Sequence, residues 1–92
     1  MIQNGSRGIL ITIPQIRAAR GLLGWSQSEL AARAGLSLPT VKRAEADGEI
    51  KVSDEAKGTL RRALEHGGVE FIDENGGGSG VRLRKSTSRR KN

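Results

Sequence analysis

The stretch that most constrains this 92-residue chain is 26–45, SQSELAARAGLSLPTVKRAE. Two serines, Ser26 and Ser37, stand eleven positions apart, each where a helix N-cap belongs. Glu29 follows Ser26 at the capping-box spacing. Between them Gly35 is placed for the positive φ that ends a helix and that other residues adopt only at a cost. A helix of about two turns followed by a Gly turn cannot run antiparallel to its successor for long. The spacing therefore predicts a steep crossing, the helix-turn-helix arrangement. That leaves the start of the second helix projecting from the body, able to enter a major groove roughly 12 Å wide.

The rest of the chain fits one small domain around that pair. Thr12 with Gln15 makes a second capping box, Pro14 suits a first helical turn, and Ile16, Ala19 and Leu23 recur on one face. This predicts a helix ending near Gly24. The preceding ILITI (9–13) is a short strand or an apolar lead-in. Leu30, Ala31 and Ala34 form the inward face of the helix after Ser26, and Leu36, Val41 and Ala44 that of the helix after Ser37. Thr40, Lys42 and Arg43 point outward, and ADGE (46–49) ends that helix. A further helix starts at Ser53, with Asp54 and Glu55 at its positive end, and stops at Gly67-Gly68; Ala56, Leu60 and Leu64 face the core. The period then changes to two. VEFI (69–72) and VRLR (81–84) place Val69, Phe71, Val81 and Leu83 on one face of a hairpin. Trp25 is expected in the core.

Composition excludes several functions. With no Cys and one His, Cys-based zinc sites and disulfides are excluded, and no metal site is expected. One Phe, one Trp and no Tyr leave no aromatic platform for stacking single-stranded bases. NGGGSG lacks both the dinucleotide fingerprint and a following G-K-[ST]. No nucleophile–base or paired-carboxylate spacing is present, so neither an enzyme nor a cofactor is expected. No apolar run approaches the roughly 20 residues of a membrane span, and no signal pattern opens the chain, so a cytoplasmic protein without membrane contact is expected. The net charge of +6 is uneven. The first 80 residues hold ten basic and ten acidic side chains, and the excess is six basic residues between Arg82 and Lys91. A case for nucleic acid must rest on positions, not on the pI.

Those positions carry a resemblance. Ser26-Gln27, Glu29-Leu30-Ala31, Gly35, Ser37 and Glu45, in one register, resemble the lambda-repressor-like, Cro/C1-type (XRE) helix-turn-helix domain, over residues 12 to about 66. The resemblance implies a mainly α fold, a four-to-five-helix DNA-binding domain, here with a C-terminal β-hairpin like that of many small bacterial relatives. It implies a bacterial or phage-encoded, nucleoid-associated regulator of transcription. By matching position, Gln27 contacts a phosphate and braces the reading helix, with Ser28 a weaker phosphate contact. Ser37, Leu38, Pro39, Thr40, Lys42 and Arg43 span the outward start of the reading helix, and Arg43 matches a base-reading position suited to guanine. Arg20 and Glu45 match a structural pair. Leu38 and Pro39 depart from the pattern, since many relatives carry hydrogen-bonding side chains there. Leu38 either touches thymine methyl groups or packs inward as a staple.

The expected organisation is a flexible segment (1–8, with Arg7 as an alternative DNA-touching arm), a DNA-binding domain (9–68), a hairpin (69–85) and a disordered basic tail (86–92). The expected activity is sequence-specific binding of double-stranded DNA, as a repressor on a palindromic operator. The expected state is a homodimer, with the hairpin edge as one route to pairing two chains. The alternatives are an antitoxin that represses its own promoter, or a protein-interaction module on the same fold, such as an anti-activator with a protein partner. Each phosphate neutralised by the tail steepens log K against log salt by about 0.9. Deleting residues 86–92 is thus expected to flatten the slope in a filter-binding titration and leave site preference unchanged.

Overall fold

The computed structural model describes residues 11–46, 52–74 and 76–84. Four helices, α1 (Ile13–Leu23), α2 (Gln27–Ala34), α3 (Leu38–Glu45) and α4 (Asp54–Gly67), precede two strands, β1 (Val69–Ile72) and β2 (Gly80–Leu83). The fold is the expected mainly helical one with a C-terminal antiparallel hairpin. The expectations for 1–8, for Asp47–Glu49 and for the tail fall outside the described residues. The apolar lead-in divides at its described end: Ile11 is buried and Ile13 opens α1.

Every helix starts at its expected cap. Thr12, Ser26, Ser37 and Ser53 each accept a hydrogen bond from the backbone N–H three residues on, which relieves one of the unpaired donors of a first turn. Gly35 ends α2 at φ 70°, and its N–H reaches back to the carbonyls of Ala31 and Ala32. A side chain at that φ would be strained, so the turn between α2 and α3 depends on glycine there.

The core is a single cluster. Ile16 and Ala19 of α1, Leu30 and Ala31 of α2, Val41 and Ala44 of α3, and Leu60 and Leu64 of α4 meet Ile11, Val69 and Phe71. Trp25 departs from expectation. It packs against the core from its margin, with its ring beside Gly67 and the Arg33 guanidinium 4.6 Å from its centroid. A methyl group on Gly67 would lie 2.6 Å from the Trp25 ring, so only glycine lets the indole approach α4 this closely.

The hairpin register pairs Val69 with Leu83, Glu70 with Arg82, Phe71 with Val81 and Ile72 with Gly80. Regular pairing thus begins one residue earlier than the alternation in VRLR indicates. Arg84 still donates its N–H to Gly68 O at 2.7 Å, which extends the ladder by one bond. Val69 and Phe71 are buried and Val81 packs on the core margin, but Leu83 is 52% exposed. The hairpin therefore covers its own helices incompletely.

Gln15 fastens the hairpin to α1. Its Oε1 accepts from Thr12 N–H at 2.8 Å, and its Nε2 donates to the carbonyls of Gly80 (3.0 Å) and Ile72 (3.4 Å). One buried amide thus completes the capping box and holds the hairpin's loop end. Gln15→Glu replaces the donor with an acceptor facing two carbonyls. The expected loss is about 1–3 kcal/mol in urea denaturation, with amide exchange accelerated first in β1 and β2.

Candidate nucleic-acid interface

The geometry of α3 starts from its buried side. Val41, Ala44 and Glu45 face the core, so the helical period turns Pro39 and Arg43, one turn apart, to the opposite side. Lys42 flanks them, and all three are exposed. Leu38 sits beside the buried face and is half-buried, as is Thr40. Leu38 is the first residue of the helix, after the Ser37 cap, and Pro39 occupies the centre of the outward surface. Proline costs nothing there, because a first-turn residue has no intrahelical donor to lose.

Ser37 and Thr40 hold each other. Ser37 Oγ accepts from Thr40 N–H at 3.2 Å and lies 2.9 Å from Thr40 Oγ1. Both hydroxyls are engaged in starting the helix, and each retains lone-pair capacity for one further bond. Ser28 is exposed in the first turn of α2.

The orientation of α3 is set by a buried carboxylate. Arg20 grips Glu45 with two parallel bonds, Nε to Oε2 at 2.7 Å and Nη2 to Oε1 at 2.9 Å. Its remaining Nη1 donates to Trp25 O at 2.9 Å. Gln27, the first residue of α2, donates its Nε2 to the same Glu45 Oε1 at 3.1 Å. Arg17, which the sequence did not single out, donates Nη1 to the backbone carbonyl of Glu45 at 2.6 Å. It lies three residues before Arg20 on α1, a spacing that puts two guanidinium groups on neighbouring positions of one helix. The expected Arg20–Glu45 pair is thus the centre of a four-residue node that joins α1, α2 and α3.

The electrostatics of the node favour keeping it charged. The hydrogen bond to Glu45 raises the Arg20 pKa above its ordinary value; burial opposes this and the charge of Glu45 adds to it. A raised folded-state pKa gives stability that is lost only as pH rises through that value, far into alkali, so Arg20 stays protonated across ordinary conditions. The one acid on α3 is Glu45, and the node occupies it. The outward surface of α3 is left with Lys42 and Arg43 and no exposed acid.

Among the described residues no group of His, Cys, Asp and Glu is arranged to hold a metal ion, and no helix is long and apolar enough to cross a membrane.

The Glu45 side chain is only 3% exposed, so removing its main partner strands a buried anion. Arg20→Ala is expected to cost about 3–5 kcal/mol. Glu29→Gln, which breaks the solvent-exposed pair with Arg33 and leaves Arg33 over the Trp25 ring, should cost under about 1 kcal/mol. Chemical denaturation of the two variants side by side measures the contrast.

Comparison with known proteins bears on the same segment. A family model described as helix-turn-helix matches residues 16–56, from the first turn of α1 to the first turn of α4. No curated protein matches the chain. The match encloses α2, the Gly35 turn, α3 and the Arg17–Arg20–Gln27–Glu45 node, and excludes the hairpin. Residues 16–56 are thus similar to the Cro/C1-type helix-turn-helix family, a family of DNA-binding regulators that are generally non-enzymatic.

Proposed function

We propose that the chain is a sequence-specific transcriptional repressor that binds a palindromic operator as a homodimer, with α3 in the major groove. The observation that carries this reading is the outward surface of α3: Pro39 and Arg43 at its centre, Lys42 beside them, and its single acid withdrawn into the core. The face presents positive charge and donors although the first 80 residues are balanced overall. Arg43 is the reader, with its fork of donors suited to O6 and N7 of a guanine. Pro39 gives apolar contact, as to a thymine methyl group, and Lys42 takes a phosphate.

Gln27 and Ser28 hold the backbone at the start of α2. Gln27 uses one amide proton on Glu45 and has a second to donate to a phosphate oxygen. One side chain then ties the phosphate contact to the buried node that orients α3. Ser37 and Thr40 use their remaining lone pairs and the one hydroxyl proton left between them at the mouth of the groove. In this reading residues 9–68 are the DNA-binding unit, 69–85 the element that pairs two chains, and 86–92 a tail adding sequence-independent attraction. The site of action is the nucleoid of a bacterial cytoplasm.

Two half-sites about 34 Å apart suit such a dimer. Selection from a random duplex pool at near-physiological salt is expected to return one palindromic consensus. Recovery of no consensus would instead favour a protein-interaction module on this fold. On the selected operator, Arg43→Ala is expected to lose about 1–3 kcal/mol and relax preference at one base pair per half-site. Full affinity in that variant would remove Arg43 from the reading role.

A further inference from the structure

The hairpin has one edge that its own chain does not cover. Arg84 N–H donates to Gly68 O at 2.7 Å, which identifies Gly68 and Arg84 as a hydrogen-bonded pair. Bonded and non-bonded pairs alternate along an antiparallel ladder. Glu70–Arg82 and Ile72–Gly80 are therefore also bonded pairs. Val81 and Leu83 consequently aim their N–H and C=O groups away from β1, along the outer edge of β2. Among the described residues nothing pairs with that edge. The outer edge of β1 differs. Its outward residues, Val69 and Phe71, are 1% and 7% exposed, and the groove beside them is walled by α4, with Arg61 over the Phe71 ring.

Two exposed leucines lie on the elements that flank the open edge. Leu22 and Leu83 are the exposed large hydrophobic residues among those described, at 43% and 52%. Leu22 is seven residues, or two turns, from Gln15, so it shares the flank of α1 that meets the hairpin. Gln15 holds Gly80 at one end of that flank. At the other, Gly67 abuts Leu23 and Gly68 O holds Arg84. α1 and β2 therefore run side by side in the same direction, and Leu22 and Leu83 fall at the same end.

We propose that a second copy of this chain docks on the outer edge of β2 and on Leu22 and Leu83, about a two-fold axis at Arg82. This rests on the homodimer reading above and assigns its surface. The edge is self-complementary about that axis. Antiparallel pairing of two β2 strands sets Val81 of one copy opposite Leu83 of the other, so the outward donors and acceptors of each strand satisfy those of its copy. Val81 and Leu83 lie on the helix-facing side of the sheet, where cross-strand pairing covers the exposed leucine. Beneath them the two α1 helices run alongside each other through Ala18 and Leu22, both exposed in the single chain. Arg82 meets its own copy on the solvent side. Like charges opposite each other are unfavourable, but each Arg82 already carries Glu70 at 2.7 Å, so the four charges balance across the axis. The result is a four-stranded sheet in which the outer edges of both β2 strands are paired.

The chain has no cysteine, so Arg82→Cys introduces a single thiol. A non-bonded antiparallel pair has Cα atoms about 4.5 Å apart, within disulfide range. Glu70→Cys is the control, since its two copies would stand three strand spacings, about 14 Å, apart. Mild oxidation of the full chain is expected to link R82C rapidly into a covalent dimer and to leave E70C single. Leu83→Lys is expected to weaken dimerisation about tenfold or more in sedimentation equilibrium, with the helical circular dichroism unchanged. If the unmodified chain sediments as a dimer but R82C links no faster than E70C and Leu83→Lys dimerises normally, this surface is wrong and the homodimer reading survives. If the unmodified chain is a monomer both free and on operator DNA, the homodimer reading fails and this surface with it.

Discussion

The carboxylate of Glu45 is the point on which the helix-turn-helix half of the molecule depends. It is buried at the end of α3 and accepts from Arg20 of α1 and Gln27 of α2, while its backbone carbonyl accepts from Arg17. Apolar packing of Val41 and Ala44 holds α3 against the core but leaves it free to roll by small angles, because dispersion contacts are non-directional. The two parallel bonds from a planar guanidinium remove that freedom. A buried ion pair contributes modestly to net stability. Its effect here is geometric: it fixes which residues of α3 face outward. The same arrangement withdraws the helix's one negative charge from the surface, so orientation and electrostatics come from one interaction.

Gln15 does for the hairpin what Glu45 does for α3. Both are buried polar side chains whose bonding capacity is taken up by backbone or side chains of other elements. A small domain with few aromatics buries little surface, so directional bonds at a few positions decide how its pieces are arranged. The two nodes lie on one helix, since Gln15, Arg17 and Arg20 all belong to α1. α1 is thus the scaffold from which both the outward helix and the hairpin take their positions.

The local structure was legible in the chain because it is written in local chemistry. Four caps, a capping box at Thr12 and Gln15, and the glycine that ends α2 act through backbone groups within four residues of themselves. The period of the apolar residues separated inward from outward faces for the same reason. Family resemblance supplied the pairing of Arg20 with Glu45, which local rules do not reach. Arg17 and the second role of Gln15 were not legible, since each bond spans at least 28 residues. Trp25 was misplaced because its depth depends on Gly67, a residue 42 positions away that lets the ring rest at the core margin.

The stretch SQSELAARAGLSLPTVKRAE by itself determined a helix, a glycine turn and a second helix, because capping and φ preference are properties of neighbouring residues. It also set which residues of that second helix are able to face outward. Only the tertiary structure decided that Pro39 and Arg43 form the centre of the face while Leu38 turns beside the core. It alone decided that Leu83 stays exposed although it alternates in phase with buried Val69 and Phe71. A period of two assigns a residue to a side of the sheet; whether anything lies beneath that side depends on where α1 and α4 end, which is a matter of packing over the whole chain.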